Sequence, residues 1–405
     1  MNKHICIIVL LLASVYTEAQ ELQSYIEEAW MNNPKIQAFE LRYNQAREKA
    51  SEAGALPNTE FGMGYFISEP ETRTGAQKAR FSAKQMLPWF GTVSTREKYS
   101  LAIAEKDYLD VIIARRKLAL SVAQGYYELY SLNAQKAVID ENIKLIQTYE
   151  QLALKSLEVG KASAVDVLRL QIRQNELQQQ KGVLEEQVRA EQASFNGWLN
   201  RNTEDTVRVL EEMTIPEADP VTADSLQINP ELTQFDRLYE SVVQAELLNQ
   251  KERAPMLGFG LDYLPVQERP ELNISDNGKD ILMPMVSLSI PIFNNRFESR
   301  TRQNELRKQE IEFLKQERLN LLEAAFAKSL ALRNQARISY NAQTKNLKQT
   351  RDAEQLLLKS YETGTIDFRD VLDIQEIQLK IQMNQIQSVQ LYYKQSAIIN
   401  YLINT

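Results

Sequence analysis

What this chain can fold into is decided first by where proline is missing. None occurs between Pro88 and Pro216 or beyond Pro291, and the second of these stretches holds a single glycine, Gly364. Leu, Ile, Ala, Glu, Gln, Lys and Arg fill both, with the polar residues dispersed rather than gathered into loops, which is the composition of long amphipathic helices. Leu170, Leu177 and Leu184 recur every seventh residue, as do Leu372, Leu379 and Ile386, and such seams pack helices side by side at coiled-coil angles. The spacing predicts two long antiparallel hairpins, over residues 92–200 and 296–403. An unbroken helix over 92–158 or 296–362 would be about 100 Å long, which disfavours a compact globule.

The two helical stretches are one unit used twice. Asn33-Pro34 returns as Asn229-Pro230, Phe61-Gly62 as Phe259-Gly260, Pro88 to Phe90 as Pro291 to Phe293, and Gly160 with Asp166-Val167-Leu168 as Gly364 with Asp370-Val371-Leu372. The separation is about 200 residues and grows slowly along the chain, as a duplication with small loop insertions requires. Each copy reads helix, strand, loop, strand, long helix, turn, shorter helix. The first copy is placed at 20–200, a connector with Pro216 and Pro220 at 201–225, and the second copy at 226–405. Each Asn-Pro pair fits a helix start, with asparagine accepting from an orphan amide and proline losing no needed donor.

Between the first helix and the hairpin of each copy the period changes to two. Phe61, Met63, Tyr65 and Ile67 alternate with small or polar residues; Leu257, Phe259, Leu261 and Tyr263 do the same, as do Val286, Leu288 and Ile290, and Phe81, Ala83 and Leu87 more weakly. The strand pairs are read at 58–68 with 79–88 and 256–264 with 282–292. Alternating segments of about ten residues suit a transmembrane β-barrel, and a soluble half-buried sheet gives the same pattern. Four strands cannot close a barrel alone, whereas several chains giving four each can. Trp89, Phe90, Tyr263 and Phe293 at strand ends suit an interfacial girdle, and the polar loops 69–78 and 265–280 would face outward. No segment of the mature chain has 18 consecutive apolar residues, so the helices are read as aqueous.

Residues 1–19 read as a signal peptide, with Lys3, an apolar run from Ile5 to Ala13, and small residues ahead of Gln20. The only histidine, His4, and the only cysteine, Cys6, lie inside it. The mature chain then has no imidazole or thiolate nucleophile, no disulfide, and no His, Cys or Met cluster to argue for soft metals; neither metal nor cofactor is expected. Cys6 as a lipid attachment site stays open. A net charge of −7 gives no footprint for nucleic acid.

With this plan in view, the chain resembles the TolC-like outer-membrane efflux proteins over its whole mature length. The second turn, Tyr361-Glu-Thr363-Gly364-Thr365-Ile366-Asp367-Phe-Arg-Asp370-Val-Leu-Asp373, is similar to that family's pattern, as are Val159-Gly160-Lys161 with Asp166-Val167 at the first turn and Ile26 to Pro34 at the start. The resemblance implies a mainly α fold with a small β part, in which a homotrimer closes a 12-stranded barrel in outer-membrane lipid above a tunnel of helical hairpins. It implies an efflux duct, not an enzyme, that meets a periplasmic adaptor protein and an inner-membrane pump. By the same resemblance Asp370 and Asp373 line the narrow entrance, Asp166 and Tyr361 belong to the bonds that close it, and Val159, Gly160, Lys161, Thr363, Gly364 and Thr365 at the turns are adaptor contacts. An arginine of some members' closing network would fall at Ile366, and Arg369 is a substitute for it.

A physical argument runs beside the resemblance. Asp370 and Asp373 lie three apart on one helix face, and a symmetry axis would multiply them into carboxylate rings that attract cations and repel one another, so the ring could favour opening or hold a divalent cation. The plain alternative is that Asp166 and Asp370 only begin helices and Asp373 faces water. A non-channel periplasmic scaffold or adaptor, which also needs long hairpins, is the competing function. The exported substrate is not readable.

Overall fold

The computed structural model describes residues 21–158, 163–218, 228–271, 273–363 and 365–403. A helix over residues 21–32, here α1, is followed by α2 (Pro34–Ala53), β1 (Glu60–Tyr65), β2 (Glu71–Thr72), β3 (Gly75–Ala76), β4 (Ala79–Leu87), α3 (Thr92–Glu158) and α4 (Ala164–Leu199). The second copy supplies α5 (Pro230–Glu252), β5 (Met256–Leu264), β6 (Ile281–Ser289), α6 (Arg296–Glu362) and α7 (Phe368–Ile403). The long helices have 67 residues each and the returning helices 36 each, so the duplication extends to helix length. No described helix is long and apolar enough to cross a membrane.

The expected signal peptide lies outside the described residues. Two details differ from the sequence reading. β1 ends at Tyr65, short of Ile67, with one further bond of the same register from the amide of Phe66 to the carbonyl of Lys78 (2.9 Å). The loop read at 69–78 contains the small hairpin β2–β3, closed through Gly75 at φ +136, where a side-chain carbon would sit 2.0 Å from the carbonyl oxygen of Gln267 and only glycine fits.

By contact the described chain forms two units, and each draws on both copies. One comprises residues 40–110 and 231–317 and holds the sheet. The sheet order is β1-β4-β5-β6, antiparallel throughout, with the copies joined at β4–β5. Helices pack beside one another in sequence: α2 on α3 through Tyr43 and Tyr108, α3 on α5 through Arg96 and Glu252 (3.4 Å), and α5 on α6 through Asn249, which donates to the carbonyl of Phe297 (2.9 Å).

The other unit comprises the described parts of Met1–Phe39, Val111–Pro230 and Arg318–Thr405. Here α4 packs on α3, with Lys181 bonded to Asp140 at 2.6 Å, α3 packs on α7 through Tyr127 and Tyr393, and α7 packs on α6, with Ser388 bonded to Ser339 at 3.0 Å. The seam leucines Leu170, Leu177 and Leu184 are buried against Ile139, Ile143 and Ile146 of α3, and Leu379 joins the same core. The Asn-Pro motifs act as caps and as ties. Asn33 accepts from the amide of Lys35 (3.0 Å) and donates to the carbonyl of Trp198 (2.8 Å), and Asn229 donates to that of Leu402 (2.8 Å), so each copy fastens the end of its own returning helix.

Candidate functional site

Two places are the candidates for function in this architecture, the sheet and the hairpin ends. In the sheet, the register sets Phe61, Met63 and Tyr65 of β1 beside Phe81 and Ala83 of β4, then Leu257, Phe259, Leu261 and Tyr263 of β5, then Leu282, Pro284, Val286 and Leu288 of β6. These share one face, because side chains alternate along a strand and paired residues point the same way. The large ones are exposed, Phe61 at 81% and Val286 at 74%. An apolar sheet face of this extent open to water would be strongly unfavourable, and in hydrocarbon it is favourable. β4, β5 and β6 have nine residues each, about 30 Å extended, which matches an apolar band of about 25 Å once the strands tilt.

Aromatic residues mark both ends of the strands. Tyr65 and Tyr263 stand at the loop end, and Trp89, Phe90 and Phe293 at the helix end, with Phe293 fully exposed. The opposite face is mixed, with Gly62, Gly64, Gly258, Gly260, Ser82, Ser287 and Lys84, the methionines Met86, Met256, Met283 and Met285, and an ion pair between Arg80 and the fully buried Asp262. At the loop end, the amide of Gly278 donates to Thr74 (2.8 Å), that of Gln267 to Ala76 (2.8 Å), and Arg73 pairs with Asp276 (3.1 Å), so the two loops form one ordered cap. Both outer strands, β1 and β6, have one edge without a strand partner among the described residues.

At the hairpin ends, Val159, Gly160, Lys161 and Gly364 lie outside the described residues. The hydroxyls of Thr363 and Thr365 both donate to the carbonyl of Ser360, at 2.9 and 2.8 Å, so they close the end of α6. Asp166 completes a capping box: Ser163 accepts from the amide of Val165 (3.2 Å) and Asp166 from that of Ser163 (3.2 Å), with Arg169 3.8 Å away. Tyr361 stacks edge-on against Phe368, which does the same against Tyr149. Its hydroxyl is buried with no hydrogen-bond partner among the described residues.

Asp370 and Asp373 are exposed on one face of α7, and Arg369 stands 3.9 Å from Asp373. Arg369 and Asp373 line a cleft of about 480 Å³ with Arg169, Arg173, Glu176 and Glu376, charges the sequence reading did not single out. Their only signal was the four-residue spacing of the two arginines on α4. Beneath the cleft, Glu354 accepts from Tyr149 (2.7 Å) and Gln375 (2.8 Å), and Glu150 accepts from Gln171 (2.8 Å) at the duplicate position. Burial, then the bond to Glu354 and its charge, hold the Tyr149 hydroxyl well above the usual tyrosine range, so it stays a donor. None of this brings a nucleophile to a base, and no group of His, Cys, Asp and Glu able to hold a metal occurs among the described residues.

Residues 25–200 match the outer membrane efflux protein family. Among solved structures the chain is similar to CusC, described for transmembrane channel formation, at 14% identity with a TM-score of 0.78, covering 95% of this chain and 92% of that one. It is similar to the outer membrane protein VceC of Vibrio cholerae (16%, TM-score 0.76, 96% and 97%) and to the open state of the Neisseria gonorrhoeae MtrE outer membrane channel (15%, 0.75, 95% and 88%). Curated protein sequences give no match. At these identities the structural likeness is one of fold, and it extends over nearly the whole chain where the family match covers the first copy. The resemblance read from the sequence therefore holds.

Proposed function

We propose that this chain, with its first copy in the outer membrane efflux protein family and that fold throughout, is the outer-membrane channel subunit of an efflux system. The observation that carries the reading is the sheet. It has an exposed apolar face between two aromatic rows, a face behind that carries the glycines, the serines and the charged groups, and an edge on each side without a strand partner among the described residues, all of which are satisfied when chains close a lipid-embedded barrel. Four strands per chain make three chains a 12-stranded barrel. A non-channel scaffold has no use for an apolar face of this kind.

In such a trimer Asp370 and Asp373 form rings of carboxylates at the hairpin ends, the narrow entrance of the duct, and Arg369 partly neutralises the lower ring. The charges of the α3–α4–α7 cleft are groups available for closing bonds between chains, Asp166 is held in place by its cap, and Tyr361 enters the closing bonds only when the hairpin end moves to uncover its buried hydroxyl. The turn residues Val159, Gly160, Lys161, Thr363, Gly364 and Thr365 present the docking surface for a periplasmic adaptor that couples the duct to an inner-membrane pump. Residues 1–19 are a signal peptide removed on export.

The test is the oligomeric state and single-channel conductance of the detergent-purified mature protein, beside Asp370→Ala/Asp373→Ala. A trimer with small, cation-selective conductance that changes in the variant is the expected result. A water-soluble monomer without conductance overturns the reading.

A further inference from the structure

The two ends of the sheet carry opposite charge. The loops at one end, 66–78 and 265–280, hold six acidic and four basic residues, and both arginines are engaged, Arg73 with Asp276 (3.1 Å) and Arg269 with Glu71. At the other end lie the turns between strand and helix and the nearest two turns of each helix, residues 46–59, 88–99, 245–255 and 290–303. These hold nine basic and six acidic residues, in a chain whose net charge is −7. Glu252 there is shared by Arg96 (3.4 Å) and Arg300 (2.9 Å). Lys98, Lys251, Arg253, Arg296 and Arg302 are exposed and make no ion pair among the described residues.

These cations stand beside the aromatic row. Gly91, the residue after Trp89 and Phe90, has φ +82, and a side-chain carbon there would lie 3.7 Å from Lys251 Nζ. Arg296 opens α6 three residues after the fully exposed Phe293, with its guanidinium 4.9 Å from the centre of the Phe297 ring. Arg253 follows the last residue of α5, three before the start of β5. A bilayer adds a headgroup layer of about 5 to 8 Å on each side of its hydrocarbon, which is about one turn of helix. With the apolar face of the sheet filling the hydrocarbon, the end of α5 and the first turns of α3 and α6 lie at the level of the lipid phosphates.

We propose that this basic collar binds the headgroups of anionic phospholipids in the leaflet on the helix side, with Lys251, Arg253 and Arg296 at its centre. The inference rests on the channel reading, since only a membrane-spanning sheet sets the collar at headgroup depth. Exposed ammonium and guanidinium groups near a membrane surface favour anionic over zwitterionic lipid, and a guanidinium can take a phosphate through two parallel hydrogen bonds. The aromatic row fixes the depth and the cations select the lipid. The loop end, acidic and with its arginines paired internally, offers no such surface.

The experiment titrates the full mature protein in neutral detergent with phosphatidylglycerol and, separately, with phosphatidylcholine of the same acyl chains, counting bound lipid by native mass spectrometry. It is repeated on Lys251→Gln/Arg253→Gln/Arg296→Gln and on Lys78→Gln/Lys279→Gln at the loop end. Expected are about tenfold tighter binding of phosphatidylglycerol by the wild type, loss of most of that preference in the helix-end variant, and no change in the loop-end variant. Equal binding of the two lipids by the wild type, an unaltered preference in the helix-end variant, or the same loss in both variants overturns the collar. A salt series on the wild type needs no variant: from about 50 to about 500 mM the preference is expected to fall severalfold, and a preference indifferent to salt overturns the assignment. Conductance of the same samples keeps the two readings apart. A conducting trimer without lipid preference sinks the collar alone, and a lipid preference that depends on the helix-end cations in a protein that does not conduct sinks the duct. Altered ion selectivity in the helix-end variant with unaltered lipid preference puts these cations in the duct and also overturns the collar.

Discussion

Helices α3 and α6 are duplicates of equal length, yet they are buried differently. α3 buries Tyr126, Leu129, Ile139, Ile143, Ile146 and Tyr149 within the chain and has a neighbour on each side in both units. α6 buries few apolar residues, among them Ile311 and Leu322, and leaves Phe313 at 77% and Ile338 at 71% exposed. The difference teaches that position in the layer, not ancestry, decides what a copy's surface must do. α3 is interior, whereas α6 has a neighbouring helix on one flank only among the described residues. In the unit that holds Ile338 the opposite edge has its own exposed apolar residues, Val165, Leu168, Ile172 and Val183 of α4, and in the proposed trimer those two flanks meet.

The sharpest way to break this comparison is to put a charge at the same kind of residue in each helix. Ile146→Asp buries an unpaired carboxylate inside one chain, at a cost of several kcal/mol, and is expected to unfold its hairpin, seen as lost helicity in circular dichroism. Phe313→Asp/Ile338→Asp is expected to leave the helicity intact and yield monomers by light scattering. Monomers from neither variant, or unfolding from both, would end the distinction between interior and edge.

Next in size is the contrast between the two hairpin turns. Asp370→Asn/Asp373→Asn removes exposed carboxylates and is expected to reduce cation selectivity severalfold in bilayer recordings without changing the melting temperature. Asp166→Asn weakens a capping box and is expected to act in reverse, with melting lowered by about 1 kcal/mol of stability and selectivity kept.

Smaller again is the contrast between the Asn-Pro ties. Asn33→Ala and Asn229→Ala each remove the bond to the end of a returning helix, about 1 to 2 kcal/mol in a melting experiment, with the greater loss at the more deeply buried Asn229.

The smallest effects separate two glutamates by pH. Burial, then the charge of Glu128, raise the Glu191 carboxyl above its ordinary value, with Lys394 acting the other way. The folded protein then holds this proton more tightly than the unfolded one, so stability falls as pH rises through that window, and Glu191→Gln is expected to flatten the fall. Burial also acts to raise Glu246, but hydrogen bonds from Asn304, Thr301, Gln250 and Asn249 outweigh it and the net shift is downward. Its contribution is present above the unfolded value and lost as pH falls through the folded one. Glu246→Gln is expected to lower stability at neutral pH and to converge with wild type in acid. Melting curves from pH 3 to 8 read both.

The fold was legible because its strongest signals are local. Missing prolines, heptad leucines and period-two strands each report on a few neighbouring residues, and the duplication doubled every one of them. The hairpin-end site was legible only in part. Asp370 and Asp373 stand exposed on one face as their spacing required, the hydroxyls of Thr363 and Thr365 turn inward to cap α6, and Tyr361 packs edge-on against Phe368, a contact the spacing did not announce. Bonds across a symmetry axis leave no trace in the sequence of one chain. Nor do partners brought together by tertiary packing or cross-strand register, as with Glu354 between Tyr149 and Gln375, or Met86 beside Gly258.

The two unpaired sheet edges also have a genetic meaning. A chain whose β1 or β6 edge is damaged still offers its other edge to intact partners, so it enters assemblies and leaves them open. In the proposed trimer, with damaged and intact copies made in equal amounts, about one ring in eight would be wholly intact, and an edge lesion would behave as dominant over the normal gene.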